Sequence, residues 1–198
     1  MKDAAGSLDR LKEGARFLNP PYLIPTQKGA QPFELLAVDS IVGLKPVAPD
    51  SATSVILVVD TCLRFVIAGR LPALSSYCTA NWFHEHVTCI FGLPHTVRSD
   101  RGPEYRGVFD TYLREAGFTH RLISTMHPRA NGIVERQVRS IKAGFRRFFT
   151  ACPEGRWWEA LPDIVRALNV IPVRATGLSP YTAVFKAAPR LVVGCKVP

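Results

Sequence analysis

Three apolar segments of strand length follow one another early in the chain, and each later strand is separated from the one before it by a helix. The apolar segments are FELLAVDSIV from Phe33, SVILVVD from Ser54 and RFVIAGRL from Arg64. Runs of this kind are typical of strands buried on at least one face. The breaks between them are short, and a parallel partner would need a long crossover, so the pattern predicts an antiparallel meander.

The rest of the chain predicts helices alternating with two more strands. SYCTANWFHEHVTCIFGLP is amphipathic, with Trp82, Phe83, His86, Val87 and Ile90 three or four residues apart. HTVRSD and THRLIS are predicted as the fourth and fifth strands, with the helix VFDTYLREAG between them, and three further helices follow. Because strands joined through helices are usually parallel, we expect an α/β fold with a five-stranded mixed sheet, three antiparallel strands and then parallel additions, flanked by helices.

Composition limits the domain organisation and the partners. We expect an N-terminal arm or linker at 1–30, rich in proline, a globular core at 31–190 and a short tail at 191–198. The formal net charge of +9 and the pI near 9.7 favour a polyanionic partner such as nucleic acid. The five cysteines are scattered and form no Cys-x-x-Cys pair, so we expect no disulfide framework and no zinc site. The chain has no apolar run long enough for a membrane span and no secretory leader, so an intracellular protein without a membrane partner is expected.

Three carboxylates stand where strand and helix patterns disfavour an unexplained acid. Asp39 interrupts the first apolar strand, Asp100 ends the fourth, and Glu135 lies near the start of an otherwise basic helix. Each alone is explained by a structural acid or by the helix dipole. If the first and fourth strands are neighbours, the three converge, and converging carboxylates require cations such as Mg²⁺ or Mn²⁺. Two such ions could promote an in-line displacement at phosphorus.

Five motifs stand together in one order: AVDSIVG, VRSDRGPEY, HPRANGIVERQVRSIK, WWEALPDIVRALN and TGLSPYTAVF. In that order they resemble the catalytic core of retroviral and long-terminal-repeat retrotransposon integrases, most of all the gypsy type, over about residues 31 to 190. The resemblance implies a ribonuclease-H-like fold with Asp39, Asp100 and Glu135 as catalytic and metal-binding residues. It implies 3′-end processing of element DNA and strand transfer into target DNA, with two Mg²⁺ or Mn²⁺ ions. It also implies double-stranded DNA as the partner, a homodimer or higher oligomer, and a place in the nucleus or in a virus-like particle or preintegration complex.

Residues around the triad are candidates for DNA contacts. Arg139 and Lys142 lie four and seven residues after Glu135, on the same helical face, whereas Arg136 points elsewhere and is expected at the surface or in packing. His127 and Asn131, in the turn-forming segment before the helix, are candidate contacts to DNA or water. Asp60 matches a position that the family treats as structural and is not assigned to the site. Trp157 and Trp158 are expected in the core rather than stacked on bases.

Two departures from the family pattern keep other functions open. Residues 101–134 separate Asp100 from Glu135, one residue fewer than is usual. The family's zinc-binding module and β-rich tail have no counterpart in the sequence, so a core fragment, a truncated element or a host-adopted remnant is expected. The alternatives are a domesticated integrase-derived module that binds DNA or protein without catalysis, and a DNA-transposon transposase with the same fold.

Overall fold

The computed structural model describes residues 29–123, 132–174 and 176–190. The predicted arm and tail, His127 and Asn131 lie outside this part of the chain, apart from the last two residues of the arm. The strands are β1 (Leu35–Ile41), β2 (Ser54–Asp60), β3 (Val66–Leu71), β4 (Thr96–Ser99) and β5 (Thr119–Leu122). The helices are α1 (Ser76–Phe83), α2 (Cys89–Phe91), α3 (Val108–Glu115), α4 (Gly132–Ala151), α5 (Trp157–Val170) and α6 (Pro180–Phe185), with a 3₁₀ turn at Pro103–Tyr105.

The five strands form one mixed sheet in the order β3-β2-β1-β4-β5. The first three pair antiparallel as a meander, β4 adds in parallel beside β1, and β5 adds in parallel beside β4. The predicted fold class, a ribonuclease-H-like α/β fold with three antiparallel strands and two parallel additions, is therefore confirmed. Since β1 lies at the centre, the ends of β1 and β4 that follow the chain direction lie side by side.

Each face of the sheet is covered by its own helices. Alternation along β1 sends Ala37 to a core shared with α4 and α5, and it sends Leu36 and Val38 to a core shared with α1 and α3. In the first core Trp157 is fully buried and Trp158 is partly buried, as predicted for a structural tryptophan pair. The indole N–H of Trp157 donates to the carbonyl oxygen of Pro46 at 2.8 Å, which satisfies its buried polar atom.

A π-helical segment at His84–Thr88 joins α1 to α2. A π turn adds about one residue relative to an α-helical turn, so it rotates the side chains that follow it around the helix axis. Val87 remains fully buried, but Ile90, which the sequence pattern placed on the apolar face, is 65% exposed. The prediction for Ile90 was wrong because the periodicity of an α-helix does not continue through this segment.

The remaining helix ends follow their sequence signals. The Ser179 side chain accepts a hydrogen bond from the Thr182 backbone N–H at 3.1 Å, and Pro180 occupies the first turn of α6. Gly117, which follows α3, has a φ of 85°, in the left-handed region that glycine adopts without strain. Within the described ranges, no helix combines the length and the apolar character needed to cross a bilayer.

Candidate active site

Two of the predicted carboxylates lie at neighbouring strand ends. In the parallel pair of β1 and β4, Ala37 lies opposite Arg98. Asp39 and Asp100 each follow two residues later, so the same alternation directs both side chains to the face of the sheet that carries α4. The structure therefore brings Asp39 and Asp100 together at one edge, as the sequence argument required.

The third carboxylate reaches this edge from α4. Glu135 lies in the first turn of that helix, whose Ile133 and Val134 are buried in the core beneath it. Burial raises the pKa of Asp39 to about 6, and the negative charges of Asp100 and Glu135 add to the increase. A hydrogen bond from the Ser40 backbone and the charge of Lys142 act in the opposite direction. The charges of Asp100 and Glu135 thus lie close enough to Asp39 to disfavour its ionised form.

Short backbone contacts orient the two aspartates. One oxygen of Asp39 accepts the N–H of Ser40 at 2.8 Å, and one oxygen of Asp100 accepts the N–H of Gly102 at 2.8 Å. Behind Asp39, on the other face of the sheet, the Ser40 hydroxyl and the buried Tyr105 hydroxyl are 2.6 Å apart. This contact ties the end of β1 to the 3₁₀ turn that follows Asp100.

The chemistry of the donors fits a hard divalent cation, although the side chains do not form a closed coordination site. The three groups offer only carboxylate oxygens, which Mg²⁺ and Mn²⁺ prefer. A cation would offset both the burial of the Asp39 charge and its repulsion by Asp100 and Glu135, which together raise its pKa. Among residues 29–123, 132–174 and 176–190, however, no group of three or more His, Cys, Asp or Glu side chains is arranged to hold a metal ion.

Of the predicted DNA contacts, Lys142 has the more direct link to the carboxylates. Its side chain is exposed, yet its charge lies close enough to Asp39 to lower the pKa of that group. Arg139 is exposed on the same flank of α4. His127 and Asn131 lie outside the described residues, so their roles stay predictions.

The sequence analysis missed a fourth carboxylate beside Asp100. Glu104 is 8% exposed, and a Cβ added to Gly102 would lie 2.5 Å from an oxygen of Glu104 and 3.0 Å from an oxygen of Asp100. A side chain at position 102 would therefore require the Glu104 carboxylate to shift. The motif VRSDRGPEY contained this residue, but nothing in the motif showed that its side chain turns back toward Asp100.

A partly buried chain of hydrogen bonds supports Asp100 from the opposite side, and this chain was also missed. Asp110 and the Nδ1 atom of His120 are 2.8 Å apart, and the Nε2 atom of His120 is 2.9 Å from the Ser99 hydroxyl. That hydroxyl donates to the backbone oxygen of Asp100 at 3.0 Å. A Ser-His-Asp arrangement suggests a nucleophile, but Ser99 is fully buried, so here it is a structural link between β4, β5 and α3.

Asp60 has a structural role, as expected. It is 1% exposed, and its carboxylate accepts backbone N–H groups from Phe33, Cys62 and Leu63 at 2.8 to 3.2 Å. Burial raises the pKa of Asp60, and the three N–H donors counteract that increase. The group closes the turn after β2 and does not contribute to the edge that carries Asp39.

Two curated retroviral proteins resemble the chain in sequence, while no protein-family model matches it. The Gag-Pol polyprotein of Walleye dermal sarcoma virus is 30% identical over 95 residues, which are 48% of this chain and 5% of that protein. The Gag-Pol polyprotein of Avian reticuloendotheliosis virus is 28% identical over 143 residues, 71% of this chain and 12% of that protein. The chain thus spans a small part of these relatives.

Solved structures of retroviral integrases share its fold. A chain of the simian T-cell lymphotropic virus intasome, in complex with PP2A regulatory subunit B56 gamma, has a TM-score of 0.68 and 19% identity, over 91% of this chain and 64% of that one. The HTLV-2 integrase catalytic core in complex with magnesium, in its trimeric form, has a TM-score of 0.63 and 19% identity, over 78% and 98%. The BIV integrase catalytic core has a TM-score of 0.61 and 19% identity, over 77% and 94%. The resemblance inferred from the motifs is confirmed: the chain has the fold of a retroviral integrase catalytic core, and the curated proteins it resembles in sequence are retroviral polyproteins.

Proposed function

We propose that residues 31–190 are an integrase catalytic core, a divalent-metal-dependent polynucleotidyl transferase that processes the 3′ ends of element DNA and transfers them into target DNA. The observation that supports this most strongly is the placement of Asp39 and Asp100 at adjacent strand ends, with Glu135 close enough to raise the pKa of Asp39. Basic residues on the same helix flank suit a polyanionic substrate.

In this mechanism Asp39, Asp100 and Glu135 would hold two Mg²⁺ or Mn²⁺ ions. When bound, such ions supply Lewis acidity and lower the pKa of an attacking water or hydroxyl. The chain itself provides three acceptor groups fixed by β1, β4 and α4, together with Arg139 and Lys142 to position the DNA backbone. We include His127 and Asn131 as further contacts to DNA or water. No group of the protein is proposed to form a covalent bond with DNA.

The proposed partner is double-stranded DNA, both the element ends and the target. The structural neighbours include an intasome and dimeric and trimeric forms of the HTLV-2 core. By analogy we propose that this chain assembles as a homodimer or a higher oligomer. The corresponding location would be the nucleus, or a virus-like particle or preintegration complex.

A joining assay tests the proposal. Labelled element-end duplex is incubated with target DNA and Mn²⁺ or Mg²⁺, and a branched substrate is used in parallel to follow the reverse reaction. Asp100→Asn should lower the rate at least about 100-fold, because metal-assisted charge stabilisation contributes several kcal/mol, while salt-sensitive DNA binding persists. Asp163→Asn, which removes the same charge from an exposed position on α5, is the matched control and should retain the rate. Equal rates for wild type and Asp100→Asn would remove these carboxylates from the mechanism.

The alternative candidate is an integrase-derived DNA-binding module without catalysis. Titration calorimetry with Mg²⁺ and Mn²⁺ separates the candidates. An integrase core should bind the ions through Asp39 and lose that binding in Asp39→Asn, whereas a non-catalytic module should show DNA binding without site-specific metal binding.

A further inference from the structure

A cleft lined by arginines lies on the flank of α4 away from the candidate active site. It has a volume of about 330 Å³ and opens between α4, the turn after β2 and the segment that follows α5. Arg64, Arg136 and Arg174 line it, together with Gln137 and Ser140 of α4 and aliphatic side chains from the end of α5. Its chemistry is therefore basic and polar on one side and apolar on the other.

Helix geometry separates this cleft from the carboxylates. At 100° per residue, Arg136 is turned 100° from Glu135 around the helix axis, and Ser140 is turned 140° in the same sense. Arg139 and Lys142, four and seven residues after Glu135, return to its side. The two flanks of α4 thus carry two different groups of basic residues, and only one of them faces Asp39.

The positive charge in the cleft is not balanced by acids within the described ranges. Elsewhere in the described part of the protein, exposed arginines form ion pairs, such as Arg114 with Asp110 and Arg166 with Asp163. In the same described ranges, no ion pair is found for the cleft residues Arg64, Arg136 and Arg174. Burial lowers the pKa of Arg64, and the neighbouring charge of Arg136 lowers it further. Two guanidinium groups therefore face each other across a cavity that could hold an anion.

The backbone at Arg64 adds a second observation. Its φ is 64°, in the left-handed region where a residue with a Cβ is disfavoured and glycine or asparagine is common. The carboxylate of Asp60, which is nearby in the same turn, is already used by three backbone N–H groups. Arg64 thus places its cationic side chain in the cleft from a strained backbone position, and the carboxylate of its own turn, Asp60, is already occupied by backbone N–H groups.

We propose that this cleft binds a phosphate group of the DNA backbone at a second position, on the opposite flank of α4 from the carboxylates. Guanidinium groups offer paired N–H donors that match the oxygens of a phosphate, and the aliphatic side suits the adjoining sugar. Phosphate contacts position a duplex without reading its sequence. The inference rests on the proposed function, because it takes DNA as the ligand, and it assigns the cleft to DNA placement rather than to the reaction.

The test measures binding of a labelled duplex by fluorescence anisotropy in EDTA, between 50 and 200 mM salt, so that divalent ions do not contribute. Each of three single variants should weaken binding about five- to tenfold, to the same degree for unrelated DNA sequences: Arg64→Gln, Arg136→Gln and Arg174→Gln. Because each removes one phosphate contact, the negative slope of the logarithm of the association constant against log salt should become shallower by about 0.9. Arg114→Gln removes the same charge on the other face of the sheet and is the matched control. Thermal unfolding of each variant shows that it is folded.

Inorganic phosphate at constant ionic strength distinguishes a free anion from DNA. Weak competition by phosphate together with the losses above supports a backbone site. The proposal is overturned if the cleft variants lose no more affinity for the duplex than Arg114→Gln does. It is also overturned if the three arginines are needed for binding of inorganic phosphate but not of the duplex. In both cases the proposed function stands. A wild-type chain that binds no duplex also overturns it. The joining assay with Asp100→Asn reports on the proposed function separately, because none of the three arginines lies at the carboxylates.

Discussion

Replacing Asp39 by asparagine should stabilise the metal-free protein at neutral pH. The pKa of this half-buried carboxyl is raised from the ordinary 3.8 to about 6 by burial, with contributions from Asp100 and Glu135. At 1.36 kcal/mol per pH unit, the difference corresponds to about 3 kcal/mol. Solvent at the exposed part of the group screens some of this cost, so Asp39→Asn should raise the free energy of unfolding by about 1 to 2 kcal/mol at pH 7.5.

The direction of the pH dependence follows from proton binding. Between about pH 4 and pH 6 the folded state binds the Asp39 proton more tightly than the unfolded state, so the stability of the wild type falls as the pH rises through this window. The penalty is complete above about pH 7. At pH 4.5 only about a third of it has developed, so the difference between wild type and Asp39→Asn should shrink to the same fraction.

Urea denaturation in EDTA at pH 4.5 and pH 7.5 measures both differences. Glu154→Gln, an exposed carboxylate changed in the same way, controls for the loss of one negative charge. Mg²⁺ should stabilise the wild type at pH 7.5 and leave Asp39→Asn unchanged, because the ion binds only the folded state. An Asp39→Asn variant that is no more stable than the wild type at pH 7.5, or whose advantage persists at pH 4.5, would refute this account of the site.

Three further changes test the packing around the site. Asn169→Ala removes two buried 2.8 Å hydrogen bonds to the backbone of β3 and should cost about 2 to 4 kcal/mol in urea denaturation. Gly144→Ala should cost about 1 to 3 kcal/mol by thermal unfolding, because its Cβ would lie 2.9 Å from a side chain of α5. Gly132→Ala, where a Cβ would meet no atom of the described residues within 4 Å, should not destabilise. Asp110→Asn should destabilise the protein at pH 7, because the hydrogen bond from His120 lowers the pKa of Asp110 and so stabilises the fold when this carboxylate is ionised. The loss of stability should diminish as the pH falls below about 4, and urea denaturation at pH 7 and below pH 4 measures the change.

The fold could be predicted from the sequence because its main features are local. Apolar strand runs with short breaks predicted the meander, and strands separated by helices predicted two parallel additions, the first of which the structure places beside β1. The proximity of Asp39 and Asp100 followed once β1 and β4 were neighbours, since parallel strands end at the same edge. These inferences need only periodicity and connectivity.

The finer arrangement of the candidate site depends on packing between distant residues. Glu104 turns back toward Asp100, and His120 connects Asp110 to Ser99, through contacts that no periodic pattern encodes. The distance of Glu135 from the aspartates depends on how α4 lies across the sheet. Arg136 was expected at the surface or in packing. Its neighbours in the cleft come from turns that are far away in the sequence.

One of the two edge strands of the sheet, β5, also influences how copies of the chain can associate. It has four residues, and its exposed positions include Arg121 and Leu122. Short edge strands that carry charge resist pairing with a strand from another molecule and so protect a sheet from aggregation. Assemblies of this protein should therefore grow through helical and side-chain surfaces rather than by extension of the sheet beyond β5.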